Sequence, residues 1–203
     1  MKGASGIYPM IFRRMFFLLA VFTPLLAQAH PGLPGHSHGF ANGLMHPLTG
    51  WDHLLAMTAV GLWAVQGGKR ALWVVPLAFV SVMTLGGMLG MAGMGQIPFL
   101  EQGIAASVLI LGVFIATAAQ LPLPVGAFVM GIFALFHGYA HGAEMPATES
   151  GWLYGLGFVL ATASLHLCGI GLGLTAQRLN SMKLVRCVGG LMAICGVYLF
   201  FTA

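Results

Sequence analysis

Two stretches of this chain set imidazole and carboxylate groups at metal-ligand spacing within otherwise apolar sequence. The first, residues 136–144, carries His137, His141 and Glu144. On a helix of 3.6 residues per turn these positions (i, i+4, i+7) fall on one stripe. Gly138 and Gly142, also four apart, remove bulk beside it, so a neighbouring helix is expected to approach closely and to bring ligands of its own. The second stretch, 46–53, places His46 and His53 two turns apart, about 10 Å along a helix. Pro47 suits a first helical position, which makes His46 the expected cap. Asp52 lies about 100° around from His53, placed either to ligate or to hold an imidazole from behind, and Thr49 offers a hydroxyl. The plainer readings are hydrogen-bonded core histidines for the first stretch, and a cap with one buried ion pair for the second. Ionisable groups in lipid are costly and usually kept for function, which favours a site.

Lipid is what the composition demands. Of 203 residues 59% are hydrophobic and only 6% charged, and mean hydropathy is +0.93, so the expected class is an all-α polytopic membrane protein. The net charge of +4 could suggest nucleic-acid binding, but the basic residues are scattered through short loops and form no patch, which rejects that partner. Cys168, Cys187 and Cys195 fall in apolar segments without paired spacing, against both a disulfide framework and a CxxC zinc site.

The elements that must position the two stretches follow in chain order. Residues 1–29 read as a cleavable signal peptide: Arg13 and Arg14 end a basic region, a short apolar run follows, and Ala27, Gln28 and Ala29 have the small-x-small form of a cleavage site. An uncleaved anchor is the alternative, and it leaves the downstream orientation unchanged. Residues 30–43 form an extracytoplasmic tail rich in His, Gly and Pro, whose His36 and His38 could collect a divalent metal outside the membrane. Residues 44–203 then form the transmembrane domain, a bundle of six helices at 44–66, 71–94, 102–120, 125–143, 151–176 and 184–202. Each is near the ~20 residues a bilayer core requires.

Charge orients this bundle. With the tail outside, Lys69, Arg70, Arg178, Lys183 and Arg186 all lie in or border inner loops, while Glu101, Glu144 and Glu149 lie near outer ones. Both mature termini are then periplasmic. Trp63, Trp73, Trp152 and Tyr154 sit where an interfacial aromatic belt is expected. The first segment enters from outside and the fourth leaves toward it, so Asp52, His53, His137, His141 and Glu144 reach matching depth. Their nitrogen and oxygen donors, without thiolate, suit nickel, cobalt or zinc better than copper(I) or an iron–sulfur cluster. His166, about fifteen residues into the fifth segment, falls near the midplane as a relay site or an inter-helix hydrogen bonder. Met88, Met91 and Met94 resemble a thioether ladder, although with 13 methionines in the chain packing explains them better.

On these residues the chain resembles the HupE/UreJ family of nickel and cobalt permeases. The match consists of the signal segment, six expected spans, and two motifs: His46, Pro47, Gly50, Asp52 and His53 in the first span, and Phe136, His137, Gly138, Ala140, His141, Gly142 and Glu144 in the fourth. The resemblance implies uptake of Ni²⁺ or Co²⁺ across the cell inner membrane, commonly in support of hydrogenase or urease maturation proteins. It carries a metal-binding role to His46, Asp52, His53, His137, His141 and Glu144. The roles suggested for His36, His38 and His166 rest on chemistry alone.

The function expected is therefore a permease, not an enzyme, with a transported metal ion and no prosthetic group. Imidazole and carboxylate would replace part of the hydration shell yet still release the ion. Nothing resembles a GxxxxGK[ST] phosphate loop, so the chain is not expected to hydrolyse ATP. Two alternatives stand beside this reading. An intramembrane zinc-dependent hydrolase would use the i, i+4 histidines with Glu144 or Asp52 as base, though the Glu of an HExxH arrangement is missing. A haem-binding membrane protein would use histidines of facing helices, with carboxylates awkwardly close to the axial ligands. Oligomeric state has no signal in the sequence.

Overall fold

The computed structural model describes residues 39–145 and 150–203, which are helical and contain no strand. The signal segment 1–29, His36, His38 and Glu149 lie outside the described residues. Among the described residues seven helices follow one another: α1 (Gly39–Thr49), α2 (Trp51–Gln66), α3 (Ala71–Met91), α4 (Leu100–Thr117), α5 (Leu123–Glu144), α6 (Gly151–Arg178) and α7 (Met182–Thr202). The five helices α3 to α7 are long and apolar enough to cross a membrane, and their bounds lie close to those expected.

The first expected span is corrected. Residues 44–66 are not one helix, because Gly50 adopts an extended backbone (φ −89°, ψ 125°) and divides α1 from α2. Pro47 does not start a helix but lies in the last turn of α1, so His46 is a helical residue and not a cap. Without an N–H at Pro47 the i−4 ladder fails there, and the Thr49 hydroxyl donates to the His46 carbonyl at 2.9 Å, which helps close the helix end. At 16 residues α2 extends about 24 Å, short of the ~30 Å hydrocarbon core. It is instead the central helix: Leu55 through Val65 are buried without interruption, as befits a helix apolar on all sides.

Glycines decide which helices pair. α3 lies along α5, α4 along α7, and both α1 and α2 pack on α6. Gly43 of α1 sits against the backbone at Tyr154, and Gly157 of α6 faces Phe40 and Leu44, so any side chain there would hold the two helices apart. The anticipated neighbour at Gly138 and Gly142 is α3, through Met83 and Gly87. It brings no His, Asp or Glu, so the ligands it was expected to supply come from elsewhere.

The two ends of the bundle differ in chemistry. Trp63 Nε1 and Gln66 Nε2 of α2 donate to Ala119 and Ile115 carbonyls at the end of α4, both at 3.1 Å, and Arg186 Nε of α7 donates to Ala116 at 2.7 Å. Lys69, Arg70, Arg178, Lys183 and Arg186 therefore share that end, and Glu101 and Glu144 lie at the other. Trp73 and Trp152 are exposed, as belt residues should be. Trp63 and Tyr154 are buried and serve packing instead, a correction to the expected belt.

Candidate metal centre

At the acidic end a cavity of about 250 Å³ opens between α1, α2, α4 and α5. It is lined by His46, Thr49, Asp52, His53, Glu101, His141 and Glu144, with Gly50, Ile104 and Ala140 completing the wall. Neither α1 nor α2 packs closely along α5. The gap between them is crossed by side chains, mainly imidazoles.

Each ring reaches its place for a local reason. The break at Gly50 turns α1 back so that His46, on a different helix from His53, lies 6.1 Å from it and 4.4 Å from His141, centroid to centroid. One ligating atom from each of His46, His141 and Glu144 lies within 4.8 Å of the other two. Tyr154 and Phe158 of α6 form an aromatic wall behind this trio, with Phe158 4.4 Å from His141 and Tyr154 6.2 Å from His46.

A second tier lies deeper. Asp52 Oδ1 accepts from the His53 backbone N–H at 2.8 Å and pairs with His53 Nδ1 at 2.6 Å. That pairing makes Nδ1 the protonated nitrogen and puts the lone pair on Nε2, the arrangement by which carboxylates orient metal-binding histidines. Asp52 is thereby placed to hold the His53 imidazole from behind, while it also lines the cavity. His53 Nε2 faces His141 Nε2 across the gap between α2 and α5. His137, fully buried, stands 4.9 Å from the His53 ring; its Nδ1 donates to the Phe133 carbonyl at 2.8 Å, which leaves Nε2 without a hydrogen-bond partner among the described residues. The single stripe expected along α5 is thus divided, with His141 and Glu144 at the rim and His137 one turn further in.

His166 of α6 is deeper still and reaches neither tier. Met88 and Met91 line a separate apolar cavity of about 300 Å³ on the far side of His141, beside Gly138 and Phe158, and Met94 is exposed beyond it. All three are exposed, so they neither form a ladder into the site nor fill the packing role expected of them. Cys168, Cys187 and Cys195 are free thiols.

Glu101 belongs to neither motif and lies on α4, so motif spacing does not point to it. A usable signal was present: the whole chain has four acidic residues, and Asp52, Glu101 and Glu144 all line this one cavity. The site can therefore gather a cation by charge at the rim and take it onto imidazole nitrogen below.

A family model described as HupE / UreJ protein matches residues 18–199. Protein HupE of Rhizobium leguminosarum bv. viciae is 44% identical over 182 residues, covering 90% of this chain and 94% of its own length. No solved structure matches the chain.

Proposed function

The chain belongs to the HupE/UreJ family of nickel and cobalt transporters, and from that premise we propose that it carries Ni²⁺, with Co²⁺ as a second cargo, from periplasm to cytoplasm. The observation that carries this reading is the cavity at the acidic end, where three carboxylates surround converging imidazoles and no thiolate. Such donors match a borderline divalent ion. The basic residues at the opposite end favour the cytoplasmic side for that face, under the positive-inside rule, so the cavity opens to the periplasm. The proposed ligands are His46, His53, His137, His141 and Glu144, with Asp52 orienting His53. His36 and His38, on the preceding tail, are proposed to raise the local metal concentration. The imported ion then supplies hydrogenase or urease maturation proteins.

The test is uptake of radiolabelled nickel by vesicles containing purified protein, with cobalt and zinc as competitors. Saturable uptake is expected in the wild type, reduced about 10–100-fold in Asp52→Ala, the usual consequence of losing a carboxylate that orients a ligating histidine. A protein that moves no metal but cleaves a lipid or peptide would establish the hydrolase instead. Glu101 acts earlier, by charge at the rim. Glu101→Gln is expected to raise KM for nickel about threefold to tenfold at low ionic strength, with the maximal rate retained and the difference shrinking as salt is added. A KM insensitive to both the substitution and salt would remove Glu101 from the capture step.

A further inference from the structure

The rings of the site continue inward as a single file. His141 and His53 stand 4.3 Å apart, His53 and His137 4.9 Å, His137 and Phe79 5.8 Å, and Phe79 and His166 5.2 Å. Phe79 is the one member of this file that cannot ligate, and it is fully buried between two imidazoles. His166 is 1% exposed, and neither of its ring nitrogens has a hydrogen-bond partner among the described residues. A buried imidazole with neither its N–H nor its one nitrogen lone pair engaged is unfavourable unless something else uses that lone pair. Just inward of it the structure closes. A Cβ on Gly61 of α2 would lie 2.8 Å from Ile170 N and 3.0 Å from Gly169 Cα of α6, so the two backbones are in direct contact. His166 therefore lies between a phenyl ring above and a glycine seam below.

We propose that His166 is a second station for a divalent transition metal, and that Phe79 is the gate separating it from the outer cluster. This rests on the transport reading above. An apolar ring stops a partly hydrated ion, as hydrophobic constrictions do, until it swings aside. The ion then passes from His137 Nε2 to His166. With the Gly61–Gly169 seam shut while Phe79 opens, no continuous pore exists, and release to the cytoplasm requires α2 and α6 to part.

The experiment uses the full chain in vesicles. His166→Leu is expected to lower the maximal nickel uptake rate at least tenfold, while the tightest nickel binding in equilibrium dialysis, that of the outer cluster, stays within twofold of the wild type. His166→Cys, which restores a ligand, is expected to regain uptake and, with Co²⁺, to show a thiolate-to-cobalt charge-transfer band that the wild type, with its three native cysteines, lacks. Phe79→Ala is expected to release nickel from preloaded vesicles several times faster than the wild type. Wild-type uptake in His166→Leu, or a parallel collapse of affinity and rate, would overturn the inner station while leaving the transport reading intact. Absence of the cobalt band in His166→Cys would do the same, and this variant decides the matter if the leucine protein fails to fold. Unchanged efflux in Phe79→Ala would overturn the gate. Failure of the wild type to move nickel at all would overturn both readings.

Discussion

His141→Ala reduces the initial rate of nickel uptake on the order of 100-fold. The expectation follows from position: His141 belongs to the rim trio with His46 and Glu144, and its Nε2 also faces His53 Nε2. An ion held at either tier uses it, so no route past the site avoids its loss. Metal binding worth about 10–16 kcal/mol over four ligands in a closed structural site gives roughly 3 kcal/mol per ligand. At 1.4 kcal/mol per tenfold, that is about two orders of magnitude. The substitution also removes a ring packed on Phe158, so the thermal transition of the purified protein must be recorded alongside the rate. Uptake within threefold of the wild type, at unchanged stability, would mean that the ion does not pass between α2 and α5.

The second large effect is structural. Gly138→Val is expected to lower the melting temperature in detergent by about 6–12 °C and to abolish uptake. At Gly138 any Cβ would overlap the Met83 carbonyl, with its carbon at 2.7 Å and Gly87 N at 2.9 Å. The obstruction is backbone, so it yields only if α3 and α5 separate along a seam that Gly86 and Gly90 line from the other side. Overpacking of this kind costs about 3 kcal/mol, and each kcal/mol shifts a chain of this size by about 2–4 °C. Function suffers further because Gly138 lies between His137 and His141, and both rings would move with the helix. Gly155→Ala is the matched control: a Cβ there meets nothing within 4 Å, so stability and uptake should be those of the wild type. Equal melting temperatures for the two variants would show that the α3–α5 seam is not closely packed.

Both predictions draw on stretches that were already conspicuous in the linear sequence, yet they were legible to different degrees. The helix at 136–144 and its glycine face follow from 3.6-residue periodicity within one element, whereas its histidines divide between two depths that periodicity does not report. The 46–53 stretch reads in sequence as the start of a continuous span, whereas the chain breaks there at Gly50. Pro47 and Gly50 were each compatible with more than one position relative to a helix end, and packing of α1 on α6 through Gly43 and Gly157 selected the arrangement with a break.

By itself the sequence determined the membrane class, the long helices α3 to α7, the charge difference between the two ends, and the family. These follow from hydrophobicity, segment length and residue order, which are local properties of the chain. The tertiary structure alone decided that α2 is the buried centre, that α3 and not a ligand-bearing helix fills the Gly138 groove, that Glu101 joins the rim, and that Phe79 stands between His137 and His166. Periodicity reports which face of a helix is apolar or polar. It carries no information about which other helix meets that face, since pairing in lipid depends on how closely two backbones fit, and that is a property of two distant segments together.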